Sequence, residues 1–296
     1  MHRIRLWWWL AVALFAGNVA SANEALTIAV SVPPQAFLVD RIGGDRVKVE
    51  VMIPPGASHE AYAPAPRQMV ALGRAHAYVA VGHPGFNIEA QRIMPFLRDH
   101  PNVQVIDMFA GARLLPATHR HDHGAAEDNH DQVPQTDPHV WLSPDAMRVA
   151  ARNLAAALAQ LDPDGWDGYF ARRDALLRDI DALDHALAAR FRTVPHRRFF
   201  VYHAAWGYFA AQYGLEQVAI EEGDKAPTAE RFVQLVRAAR DEGVTMIFVE
   251  KGLADKTARV LAKEIGAQIV ELDTLAYDWL ANMKAVGERV AQALQR

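Results

Sequence analysis

Short runs rich in β-branched and aromatic residues alternate with longer amphipathic runs along nearly the whole chain, and the alternation is played out twice. In the first half the strand candidates are residues 26–32, 47–53, 77–81 and 103–106, with helices expected at 33–42, 67–74 and 88–97. In the second half strands are expected at 199–202, 217–220, 245–249 and 268–272, and helices at 205–213, 228–241, 255–265 and 278–294. Strands separated by helical crossovers pair in parallel and are covered by those helices on both faces. The pattern therefore predicts an α/β fold of two lobes, each a mostly parallel sheet flanked by helices. Between the halves, Ser143-Pro144 supplies an N-cap and a first-turn proline for a helix through Leu161. A second helical pattern follows at once, over about residues 164–191, and Pro195 lies just beyond it. No Gly/Ser linker intervenes, so a single long rigid helix is expected to join the lobes. The expected division is residues 1–22, a leader; 23–162, the N-terminal lobe; 163–194, the connecting helix; and 195–296, the C-terminal lobe.

The leader carries His2, Arg3 and Arg5 ahead of an apolar core over residues 6–16, then Ala20-Ser21-Ala22. That is the pattern of a cleavable secretory signal, and its core is short for a bilayer span. The mature chain is expected to be soluble, periplasmic and monomeric. It has no cysteine, so lipidation of an N-terminal cysteine and thiolate metal ligands are both excluded, which leaves imidazole and carboxylate as the strong donors. The roughly 270 residues after the leader suffice for two lobes held by their cores without disulfides. A formal net charge of −4 offers no basic field for nucleic acid.

The chain has 13 histidines, and His119, His121, His123, His130 and His139 crowd one stretch. Residues 117–136 are polar and acidic and cannot build a core, so a flexible His-rich loop is expected. In it His119, His121 and His123 alternate and would be weak accessory ligands. His139 differs, because Trp141 and Leu142 beside it can be packed. Metal-capable groups also fall at strand ends: His59-Glu60 after Pro54-Pro55-Gly56, His203 after the strand at 199–202, and Asp273 after the strand at 268–272. Ligands of open α/β sheets bind at the carboxyl ends of strands. A site collecting Glu60 or His59 with His139, His203 and Asp273 must therefore lie between the lobes.

Four segments carry a resemblance: Ile53-Pro54-Pro55-Gly56-Ala57-Ser58, Asp137-Pro138-His139-Val140-Trp141-Leu142-Ser143-Pro144, residues 203–214, and residues 270–275. In this order and spacing they resemble the zinc and manganese solute-binding proteins of bacterial ABC importers, over essentially the whole mature chain. The resemblance implies two α/β lobes bridged by a rigid helix, with a metal between them on three histidines plus a carboxylate or water. It carries over directly to His139, His203 and Asp273. At the first ligand the chain departs from the family's Gly-Ala-Ser-Pro-His-x-Tyr, reading Gly56-Ala57-Ser58-His59-Glu60-Ala61-Tyr62. Ungapped counting favours Glu60 and keeps Tyr62 and Pro64 in register; a shift of one residue makes His59 the ligand.

Two imidazoles with two carboxylates would suit Mn²⁺ or Fe²⁺, whereas zinc outcompetes both at a given N/O site. Zinc members of the family often carry such a His-rich loop. The resemblance thus implies Zn²⁺ as cargo, delivered to an ABC membrane permease with its cytoplasmic ATPase. The alternatives are a manganese or iron carrier, a metallohydrolase using the same ligands, and an adhesin on the same scaffold. No His-Glu-x-x-His is present, and no catalysis is expected.

Overall fold

The computed structural model describes residues 24–117, 136–222, 225–252 and 256–296. The leader at 1–22 and the loop histidines His119, His121, His123 and His130 lie outside the described residues. The first lobe comprises β1 (Leu26–Val30), α1 (Pro33–Gly43), β2 (Val47–Val51), α2 (Pro66–Leu72), β3 (Ala77–Ala80), α3 (Met94–Arg98) and β4 (Gln104–Asp107). Then come α4 (Pro144–Leu161) and α5 (Trp166–Phe191). The second lobe comprises β5 (Arg198–Val201), α6 (Gly207–Gln212), β6 (Glu216–Ala219), α7 (Ala229–Asp241), β7 (Met246–Glu250), α8 (Lys256–Ile265), β8 (Gln268–Leu272) and α9 (Trp279–Ala293).

Each lobe holds a four-stranded parallel sheet, ordered β2-β1-β3-β4 in the first and β6-β5-β7-β8 in the second. In both, the chain steps outward from the first strand and then returns to its other side. That reversal opens a crevice outside the carboxyl ends of the two central strands. The apolar run of β3 is buried throughout, as expected of a parallel strand covered on both faces. In β5 the period of two is visible in the packing. Phe199 and Val201 join the core shared by both lobes, while Phe200 faces the smaller core under α7 and α8.

Helix α4 starts and ends where Ser143-Pro144 and Leu161 placed it, with Ser143 Oγ accepting the Ala146 N–H at 3.3 Å. The run at 88–97 is not one α-helix. Pro95 has no N–H, and its ring would strike the carbonyl of residue 91 in an α-helical register. The chain widens instead into a π-helical turn, Glu89–Ile93, before α3.

Helix α5 has 26 residues, about 39 Å at 1.5 Å per residue. Its buried side chains, Tyr169, Leu176, Ile180, Leu187 and Phe191, recur at spacings of seven and four and form one stripe. That stripe packs on α1 of the first lobe, on α4, and on α9 of the second lobe. The lobes are also cross-stitched by two buried tryptophans. Trp141 Nε1 donates to the carbonyl of Thr274 at 2.8 Å, and Trp279 Nε1 donates to the carbonyl of Trp141 at 2.8 Å. One contiguous apolar core runs from Ile28 through to Leu294. No helix among the described residues is long and apolar enough to cross a membrane.

Candidate metal centre

Residues that follow strands of both sheets meet in the crevice. His59 lies on the loop after β2, His139 between β4 and α4, and His203 just after β5. All three are buried, at 4 %, 1 % and 5 % exposure, and their ligand atoms lie within 4.8 Å of one another. The Nε2 atoms point inward: His59 Nε2 is 2.9 Å and His203 Nε2 3.3 Å from His139 Nε2. Three nitrogens each about 2.1 Å from one tetrahedral ion would stand about 3.4 Å apart. The imidazoles are thus close to a ligating arrangement.

The far side of each inner ring is fixed by a carboxylate. His139 Nδ1 donates to Asp137 Oδ1 at 2.7 Å, and the same oxygen accepts the His139 backbone N–H at 2.9 Å. His203 Nδ1 donates to Glu221 Oε1. A carboxylate on Nδ1 fixes the tautomer, turns Nε2 toward the cleft and raises its basicity. Trp141 stands edge-on to His59 and His139, and Phe86 stacks on His59 with ring centroids 6.1 Å apart. These rings form an apolar wall on one side of the triad.

Acidic groups gather on the other side. Glu60 Oε1 is 3.1 Å from His203 Nε2, so both members of the His59/Glu60 alternative face the cleft, one as an imidazole and one as a carboxylate. Glu250 ends β7 and accepts the Thr274 hydroxyl at 2.9 Å; burial pushes its carboxyl above the usual range. Burial alone would depress His203, but the hydrogen bond to Glu221 and the charges of Glu250, Glu60 and Glu221 prevail and push the imidazole up to about 10.

Asp273 is placed differently. Its Oδ1 accepts the Leu275 N–H at 2.9 Å and its Oδ2 the Lys251 ammonium at 3.2 Å. A cavity of about 60 Å³, lined by His59, Glu250, Lys251, Asp273 and Thr274 among others, adjoins the triad. His83 forms scaffolding: its Nδ1 accepts the Gly85 N–H at 3.0 Å, leaving Nε2 to donate to Thr136 at 2.7 Å.

Glu221 and Glu250 belong to no motif in the sequence. Both stand at the carboxyl ends of expected strands, the same rule that singled out His203 and Asp273.

Asp137 also depends on a glycine. A Cβ on Gly207 would lie 2.6 Å from Asp137 Oδ2, so Gly207→Ala is expected to push the carboxylate off His139. Losing such an outer partner lowers metal affinity by about 10–100-fold. A competition titration checks this, with an unchanged circular-dichroism spectrum showing that the fold is kept.

Relatives share this architecture. A crystal structure of ZnuA superposes with a TM-score of 0.83 at 36% identity, covering 92% of this chain and 100% of that one. A zinc-bound deletion variant of ZnuA gives the same TM-score at 35% identity, with 92% and 99% covered. In sequence, the high-affinity zinc uptake system protein ZnuA of Bacillus subtilis is 26% identical over 269 residues, 88% of this chain and 81% of that protein. The zinc-binding lipoprotein AdcA of Streptococcus pneumoniae (TIGR4) is 28% identical over 266 residues, and the match spans 52% of its length. The family model for ZnuA, described as zinc-uptake complex component A, periplasmic, matches residues 28–293. With that match over nearly all of the two lobes, the chain belongs to the ZnuA family of zinc-uptake solute-binding proteins.

Proposed function

We propose that the chain binds Zn²⁺ between its lobes in the periplasm and delivers it to an ABC membrane permease driven by a cytoplasmic ATPase. The observation that carries this reading is the convergence of three buried imidazoles whose ligand atoms lie within 4.8 Å of one another, two of them turned inward by carboxylates. Three imidazoles, with the Glu60 carboxylate beside them against His203 as candidate fourth ligand, make a nitrogen-rich set that suits zinc. A hydrolytic zinc keeps one position open for water with a general base beside it. With Glu60 as fourth ligand the site is closed, which is the carrier reading; hydrolysis of generic ester or phosphate substrates that Glu60→Gln abolishes would overturn it. The division into a leader, two lobes and a connecting helix belongs to the same reading, as does the accessory role of His119, His121 and His123.

The test is metal analysis and chelator competition on the mature protein. One tightly held Zn²⁺ per chain is expected, and it should survive deletion of residues 118–135. A protein taking no stoichiometric zinc, or losing it with that deletion, would overturn the reading.

Proton release offers a second check. His203 titrates near 10, above neutral pH, so without metal the ring is charged at pH 7 and must lose its proton to ligate. Apparent zinc affinity should therefore fall about tenfold per pH unit as pH drops through neutrality. Calorimetry in buffers of differing ionisation heat should report about one proton released per zinc. Proton uptake, or none exchanged, would contradict the charged resting state.

A further inference from the structure

Strands β7 and β8 run in register with Glu250 opposite Leu272, and the pairing continues one step as Lys251 N–H donates to the Leu272 carbonyl at 2.9 Å. Lys251 and Asp273 therefore leave adjacent strands side by side, where the ammonium reaches Asp273 Oδ2 at 3.2 Å. The other carboxylate oxygen is held by the Leu275 N–H. Between this aspartate and His59 lies the small cavity, with room for a few water molecules. A ligating carboxylate gives a dication electron density and negative charge, and an ammonium on the same oxygen draws on both.

We propose that Lys251 sets the metal preference of the cleft by holding Asp273 out of the coordination sphere, so that the ion meets the three imidazoles and Glu60 without the Asp273 carboxylate. The inference rests on the carrier reading above. Oxygen-rich sites with more ligands favour Mn²⁺ and Fe²⁺, and nitrogen-rich four-coordinate ones favour Zn²⁺. With Lys251 in place, the residues at this edge of the cleft compose a zinc site; without it, Asp273 is released toward the cavity and a harder site forms. The lysine side chain is 65 % exposed, so the ion pair adds little to stability and its loss leaves the fold intact.

The experiment compares Zn²⁺ and Mn²⁺ affinities by chelator competition for the wild-type mature protein, Lys251→Met and Lys251→Met/Asp273→Asn. Lys251→Met is expected to raise Mn²⁺ affinity relative to Zn²⁺ by about fivefold, the most that so exposed an ion pair carries, and the double variant to return the ratio to the wild-type value. Visible absorption of the Co²⁺-loaded proteins supplies an independent readout: intense four-coordinate bands in the wild type, weakened in Lys251→Met as coordination expands, and restored in the double variant. An unchanged ratio in Lys251→Met, or a shift that persists without Asp273, would overturn the proposal. A wild-type protein that binds neither ion at one per chain would overturn the carrier reading instead, which keeps the two failures distinct.

Discussion

His139→Ala is expected to weaken zinc binding by about a thousandfold, roughly 4 kcal/mol, the largest loss of affinity from any single substitution in this protein. His139 is the central imidazole, with its Nε2 2.9 Å from that of His59 and 3.3 Å from that of His203. Its removal takes away one donor and also the ring against which the other two are set. The Asp137 carboxylate that orients it would then stand buried without that partner. Zinc at a thousand times its dissociation constant stabilises a folded protein by about 4.1 kcal/mol. Thermal melts should therefore show a large zinc-induced upward shift in the wild type and almost none in His139→Ala at equal zinc. A variant that keeps its affinity within tenfold would show that the triad is not the tight site.

The largest loss of stability is expected from Trp279→Ala. Trp279 is 1 % exposed, and its indole N–H supplies the Trp141 carbonyl across the lobe boundary. Truncating a buried tryptophan to alanine costs about 3–5 kcal/mol through lost burial and the cavity left behind. The orphaned carbonyl adds about 1–3 kcal/mol. Urea unfolding of the metal-free protein should register a loss of at least about 4 kcal/mol, with Trp279→Phe losing less because it keeps most of the apolar volume. A cost under about 1 kcal/mol would mean that the two tryptophans do not fasten the lobes.

Much of this architecture was legible in the chain because its signals are local. Ser143-Pro144 announced α4 to the residue, and the buried strands read as apolar runs bounded by turns. The His59/Glu60 ambiguity was not resolvable in that way, since neighbouring loop residues point where tertiary packing sends them. The fold turns both toward the cleft, the imidazole against Phe86 and the carboxylate against His203. The Lys251–Asp273 pair was equally hidden, because it depends on the register between β7 and β8, which no local pattern specifies. Glu221 is hidden for a simpler reason: a carboxylate that orients an imidazole leaves no motif of its own. The split before α3 was foreseeable, because Pro95 forbids a continuous α-helix there.

The larger core, which runs through both lobes, has a consequence for cooperativity. Two α/β halves of this size would ordinarily be free to unfold one after the other, each with its own stability. Here the halves share buried side chains, and the cleft takes groups from each. Ligand energy delivered at the cleft is then distributed over every residue that unfolds with it. Amide hydrogens in β1 and in β5, far apart in sequence, should slow by the same factor when zinc binds, and calorimetry should trace one transition whose midpoint moves as a unit.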